Sequence, residues 1–296
     1  MFSRSGIGPL VIRMFRRMKL FRKILLLAAA ALLSAEAAWA WFGAGFPAVV
    51  AFGGDPVEFT DGAYRVSVTP ETEPRGRIMC YVPRYKPVDR MTADMYASLA
   101  GVNENFSETG DAYVYESRAG SLEVDKWINM LRYENSPDAF VRTEPLRSDG
   151  EAVKAAEAFV RGKYLRLAYE ESKVKFDGNS YLVNFIDRIG NLWNYAFPTS
   201  VRLDARGNVL SIYYFYIQYD RLRSCDTISM SQALKCLPPV PDLGGPDGGP
   251  TVLIDRARLV YYYEDSIVQP AYLFEGQAAG GKAYECFVKA AKYSGS

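Results

Sequence analysis

The chain has 296 residues, with 35 Lys/Arg, 34 Asp/Glu and no histidine. The missing imidazole excludes Ser-His-Asp and Cys-His catalysis, His-ligated zinc and histidine proton shuttling near neutral pH. Carboxylate-pair hydrolysis, Ser-Lys chemistry and calcium binding stay open, whereas a net charge of +1 lacks the concentrated positive charge that nucleic acid requires.

Residues 1–40 read as an export signal. Lys19, Arg22 and Lys23 form its basic start, 24–33 its apolar core, and Ala38-Trp39-Ala40 a small-x-small cleavage site. The apolar run is shorter than the about 20 residues of a membrane-spanning helix. Membrane contact is therefore expected only if the segment is retained, and the expected location is periplasmic or extracellular. Removing 1–40 takes away seven Lys/Arg and one Glu, leaving 28 basic and 33 acidic residues. This mildly acidic remainder is large enough to bury a proper core. It divides into an N-terminal α+β unit with an irregular lead-in, 41–147, and a C-terminal α+β domain, 148–296.

Within the first unit, strands are expected at 64–68 and 78–82. Thr92 caps a short helix over 93–100 that Gly101 ends. Two strand-like runs, 111–118 and 121–134, follow around a tight Ala119-Gly120 hairpin. In the second unit Ser148 or Asp149 caps a helix over 150–165, with Val153, Ala156, Phe159, Val160 and Tyr164 at helical spacing. Strands at 173–176 and 181–187 turn through Asp177-Gly178-Asn179. A strand at 193–197 is broken by Pro198, and 200–203 then pairs with 209–219 across Asp204–Asn208. Ser229 and Gln232 make a capping box for a third helix. A Pro/Gly-rich loop at 238–250 leads to strands at 252–264, 267–274 and 283–290. Helix followed by antiparallel strands thus recurs. It predicts an α+β fold of repeated units, each a helix packed on an antiparallel β-sheet.

Cys80, Cys225, Cys236 and Cys286 lie in an exported chain, where disulfides persist. Three connectivities are possible. The short loop favours Cys225–Cys236, leaving Cys80–Cys286. No C-x-x-C spacing points to a metal, and none is expected. The carboxylates Glu170, Glu171, Asp187, Glu264 and Asp265 are available for hydrolysis, but no spacing singles out a pair. Aromatic runs at 213–216 and 261–263 lie on predicted strands, where alternate rings face opposite sides. Ala257, Leu259, Tyr261 and Tyr263 form the better core face, which turns Arg256, Arg258, Tyr262 and Glu264 outward.

The second half also carries a family likeness. An Ala-rich helix leads to strands and V-R-L-D-A-R-G-N-V-L-S-I (201–212), then I-S-M-S-Q-A-L (228–234), A-R-L-V-Y-Y-Y (257–263) and Q-P-A-Y-L-F (269–274). This order resembles the PepSY-like envelope domains, above all the tandem arrangement of the YycH/YycI two-component regulatory proteins. Residues 150–290 carry the resemblance, and 76–135 fits the plan more loosely. The resemblance implies a non-catalytic protein without cofactors that contacts a sensor kinase or protease outside the membrane. A sheet face or edge would accept that partner, with Tyr214, Tyr216, Arg258 and Tyr262 as anchors. The alternative expectation is a carbohydrate-binding or carbohydrate-active protein using the same aromatic face.

Overall fold

The computed structural model describes residues 50–51, 57–61, 64–68, 72–73, 76–163, 165–238, 252–278 and 280–292. The expected export signal, and the 238–250 loop beyond Pro238, lie outside the described residues. In chain order the structure has β1 (Val50–Ala51), β2 (Val57–Asp61), β3 (Tyr64–Val68), β4 (Thr72–Glu73), β5 (Ile78–Arg84) and helix α1 (Arg90–Ala100). Next come β6 (Asn105–Glu108), β7 (Ala112–Ser117), β8 (Gly120–Asp125), β9 (Met130–Asn135) and α2 (Asp149–Gly162). Five strands follow: β10 (Glu171–Phe176), β11 (Ser180–Ile189), β12 (Leu192–Asp204), β13 (Val209–Phe215) and β14 (Gln218–Thr227). The chain closes with α3 (Met230–Leu234), β15 (Val252–Glu264), β16 (Ile267–Ala278), β17 (Lys282–Lys289) and β18 (Ala291–Lys292).

Local chemistry explains the helices. Asp89 accepts from the Thr92 amide at 2.8 Å, so α1 begins a turn before the Thr92 cap expected for it. Gly101, at φ 73°, closes it in the left-handed conformation. Ser148 caps α2, and both halves of the Ser229/Gln232 capping box are present at α3. The run 121–134 is two strands, because Asp125 accepts from the Trp127 and Ile128 amides and Asn129 adopts φ 51°. The run 209–219 likewise divides between β13 and β14.

Among the described residues sixteen strands form one sheet, and β1 pairs separately with β4. The pairings β12–β15 and β3–β15 are parallel, and the sheet is therefore mixed. The expected fold of repeated helix-on-sheet units is overturned. Ile212 of β13 stands opposite Tyr133 of β9, and Trp193 of β12 stands opposite Val260 of β15. These pairings join every would-be unit into one ladder, so edges that separate units would have exposed are satisfied instead. The helices also depart from the expectation. Both α1 and α2 share one core, where Ala93, Ala97, Ala152 and Ala156 meet Val124, Val183, Val201, Leu203 and Ile212. Met230, Ala233 and Leu234 of α3 enter a second core with Val66, Ile254, Leu259, Tyr272 and Phe274.

Pro198 lies within β12 rather than ending a strand. Between Asn194, opposite Asp187, and Thr199, opposite Phe185, four residues of β12 face a single residue of β11. This bulge sits where a missing N–H is harmless. It also lets the first part of β12 pair with β15 and the last part with β13.

A second irregularity lies between Ile254 and Arg256, opposite Gly276. A Cβ on Gly276 would stand 1.9 Å from the Leu253 carbonyl oxygen and 2.8 Å from Ile254 Cα. Both contacts are backbone and cannot rotate away. Gly276→Ala is expected to destabilise the fold by about 1–3 kcal/mol or more, read by urea denaturation. Gly110→Ala, where a Cβ meets nothing within 4 Å, should leave the midpoint nearly unchanged.

Candidate functional site

The face of the sheet opposite α1 and α2 is polar, and its composition follows from register. Lys175, Leu182, Arg202, Ser211 and Glu134 align across β10, β11, β12, β13 and β9. The next row reads Lys173, Asn184, Ser200, Tyr213 and Arg132. The intervening residues Val183, Val201, Ile212 and Tyr133 are the buried ones. An open groove of about 320 Å³ lies here, lined among others by Lys175, Phe176, Ser200, Arg202 and Tyr213. Phe176 is 52% and Tyr213 36% exposed. Ser200 donates to Asn184 at 2.7 Å, and the Arg202 guanidinium holds both Ser180 Oγ at 3.1 Å and Asp177 at 3.0 Å. The side chains of the groove are thus tied to one another before any ligand arrives.

At β10 this polar face meets β15, β16 and β17 in a buried charged seam. Arg258 of β15 is only 5% exposed. It donates to both carboxylate oxygens of Glu171, each at 2.7 Å, a bidentate pair. Its Nε lies 3.4 Å from Glu275, and it also donates to the Tyr195 hydroxyl, which the β12 bulge projects into the seam. Lys173 bridges Glu275 and Glu285, the latter at 2.9 Å, and Lys175 pairs with Glu285 from its exposed side. Phe287 packs between Tyr195, 5.7 Å away, and Tyr262, stacked at 4.4 Å.

Burial opposes charge on Arg258, yet the Glu171 hydrogen bonds, together with the electrostatic pull of Tyr195, Glu171 and Glu275, outweigh it and raise its basicity. Burial likewise raises the Glu285 carboxyl, but bonds from Lys175 and Lys173 bring it below the ordinary carboxylate value. Burial pushes the Tyr195 phenol up. Arg258 is therefore held as a cation, Glu285 as an anion and Tyr195 as a neutral phenol. Their ion pairs position β10 against β15, β16 and β17.

The four expected anchors do not form one surface. Arg258 was expected outward but is covered by β10. Tyr262 is half-buried on Phe287. Tyr214 belongs to the helix-covered core, where its hydroxyl donates to the Arg166 carbonyl at 2.9 Å and burial pushes its phenol up to about 12. Tyr216, just beyond β13, is 43% exposed. Sequence reasoning missed Tyr213, Phe176 and Arg202. The available signal was Ile212, two residues before Tyr214, whose apolar side chain marks that parity as inward.

The cysteines also fall differently. Cys80 and Cys225 are buried with sulfurs 3.0 Å apart, Cys236 is exposed, and Cys286 is half-buried. The expected pairs Cys225–Cys236 and Cys80–Cys286 are thus not the ones brought together, because β5 and β14 pair across 145 residues that spacing does not register. The carboxylates considered for hydrolysis are each engaged elsewhere. Glu170 pairs with Arg188 at 2.9 Å, Asp187 accepts from Asn194 at 2.9 Å, and Glu264 and Asp265 both face Lys289. Lys163 points into a small apolar cavity beside Tyr96 and Tyr133, where its ammonium donates to the Ala100 carbonyl at 2.5 Å and closes the end of α1. Among the described residues no group of three His, Cys, Asp or Glu could hold a metal ion, and no helix is long and apolar enough to cross a membrane.

No family model and no curated protein matches the chain. Among solved structures, it is similar to an uncharacterized protein from Eubacterium rectale, at 10% identity over 79% of this chain and 89% of that one, with a TM-score of 0.44. It is also similar to the Bacillus megaterium YpeB C-terminal domain, at 17% identity over 70% of this chain and 95% of that one, with a TM-score of 0.39. Neither match assigns a chemistry to this chain.

Removing one partner of the seam leaves the other charge buried. Arg258→Met is expected to cost about 3–5 kcal/mol in urea denaturation, because Glu171 is stranded. Adding Glu171→Leu to Arg258→Met should recover part of that loss. The Glu285 ion pairs stabilise the fold above the unfolded carboxyl value of about 4.3, and their contribution disappears as pH falls through the lower folded value. Glu285→Gln should therefore lose less stability than the wild type between about pH 5 and pH 3, measured as the shift in thermal midpoint.

Proposed function

We propose that the protein works outside the cytoplasm without catalysis, binding another envelope protein and modulating it. The expected export signal at 1–40 supports the location, and the PepSY- and YycH/YycI-like order of motifs supports a regulatory role toward a sensor kinase or protease. One observation carries the binding reading: the sheet face left uncovered by the helices exposes Tyr213 beside a groove that Phe176 borders from the end of β10, and the polar side chains of this groove are already hydrogen-bonded into position. Aromatic rings of this kind offer large rigid contact area at low entropic cost. Arg202 and Lys175 add directional donors beside them, and Ser200 and Ser211 are small enough for a partner's backbone to approach.

The carboxylate that lines this groove favours recognition over hydrolysis. Asp177 accepts from the Asn179 amide at 2.9 Å and from the Ser180 hydroxyl and amide at 2.8 and 2.7 Å. These bonds, with Arg202, hold it well below the usual carboxylate range. A group so firmly ionised cannot protonate a leaving group, and glycoside hydrolysis needs two carboxyls about 5–10 Å apart. A second reading, glycan binding without cleavage, draws on the same rings, since sugars also stack on Tyr and Phe.

Crosslinking in cells with the exported chain, followed by mass spectrometry, separates the two. The expected outcome is one dominant envelope protein captured by the wild type. Its affinity should fall about 30-fold in Tyr213→Ala, as for an interface hot spot worth about 2 kcal/mol, with further loss in Arg202→Glu. Thermal midpoints of both variants should stay close to the wild type. Recovery of cell-wall glycan with no protein partner would replace the regulatory reading with the second one.

A further inference from the structure

Cys80 and Cys225 are 0% and 2% exposed, and their sulfurs stand 3.0 Å apart. That is closer than the about 3.5–4.0 Å at which nonbonded carbon atoms rest. The two residues lie on paired antiparallel strands. Arg223 stands opposite Cys80 and Cys225 opposite Ile78, which makes the thiols diagonal neighbours. The register shift between Arg221 and Arg223 sits beside them, and such irregularities increase local twist. Twist can carry one diagonal pair toward bonding range.

We propose that Cys80 and Cys225 form the structural disulfide of this protein, locking β14 to β5, while Cys236 and Cys286 remain outside it. Closing the bond moves the sulfurs about 1 Å nearer, to the about 2.05 Å of a disulfide. The oxidant is another disulfide, carried by an oxidoreductase or a small molecule. The thiolate of one cysteine attacks that disulfide, forms a mixed disulfide and expels one thiolate. The second cysteine, also deprotonated, attacks the protein sulfur of the mixed disulfide and expels the other. Two protons leave the cysteines, and two electrons reduce the oxidant to two thiols.

Timing follows from burial. The contact with Cys80, together with desolvation, raises the Cys225 thiol and holds it protonated in the folded chain. Only thiolates exchange, so the folded dithiol reacts slowly. The bond therefore forms while the chain is folding, before β5 and β14 bury the sulfurs, and is afterwards shielded from reductants.

The four cysteines fall in four separate tryptic peptides, 78–84, 224–235, 236–256 and 283–289, so a digest reads the pairing directly. The full chain is refolded with a mixture of oxidised and reduced glutathione, alkylated, and digested without reduction. The expected product is peptide 78–84 linked to 224–235, with the link lost on reduction. Links from 224–235 to 236–256, or from 78–84 to 283–289, overturn the assignment, and so do four alkylated thiols. Reduction of the oxidised protein should lower its thermal midpoint by about 10 °C. Cys225→Ala, whatever its own packing cost, should then show no further drop on reduction, whereas Cys236→Ser should show the full one. Adding oxidised glutathione to the prefolded reduced chain at pH 7 should form the link at least about tenfold more slowly than refolding does. Equal rates would overturn the timing.

Discussion

A guanidinium on a buried sheet face needs a carboxylate, and Arg258 finds it in Glu171, 87 residues earlier in the chain. Much of the architecture answers to that requirement. Strand β10 must reach β15, β16 and β17, and the sheet must turn far enough for it to do so. The bulge of β12 serves the same end. It frees four residues from the β11 ladder, brings Tyr195 to the guanidinium, and hands β12 from one neighbour to another. A buried ion pair of this kind is weak evidence for net stability, because desolvating both charges offsets much of their attraction. It is stronger as a register device, since a shift of β10 by one residue would turn Glu171, Lys173 and Lys175 away from their partners.

The seam also divides the labour of the sheet. On one side α1 and α2 cover an apolar face, and they approach closely because their inward residues are alanines. On the other, Ser, Asn, Arg, Lys and Tyr occupy the same strands. One-sided burial keeps the two faces distinct in composition. The groove lies on the second face, beside the seam, and Lys175 belongs to both. Any ligand of the groove therefore contacts side chains whose positions are already held by ion pairs and by hydrogen bonds among Asp177, Ser180 and Arg202. A recognition surface gains from such prior order, because less freedom is lost on binding.

Much of the local structure was legible. The Ser148 and Ser229 caps, the Gly101 stop and the turns at Asp177–Asn179 and Asp204–Asn208 depend on interactions within a few residues, and all are where their chemistry puts them. The inward face of β15 at Ala257, Leu259 and Tyr261 was also readable, from plain alternation. Less legible were features where a local rule meets a distant partner. Pro198 breaks an isolated strand but is tolerated in a bulge, and residues 126–129 turn a run that alternation alone would continue.

Composition along the chain, then, excludes histidine chemistry, and local order along it sets the positions of most helices, strands and caps. Only the tertiary structure decided that these elements share one mixed sheet, that Arg258 is buried while Tyr213 is not, and that Cys80 meets Cys225. The reason is physical. Caps, turns and periodicity arise from neighbours along the chain, whereas strand partners, sheet faces and sulfur contacts depend on residues scores of positions apart, whose meeting no spacing encodes.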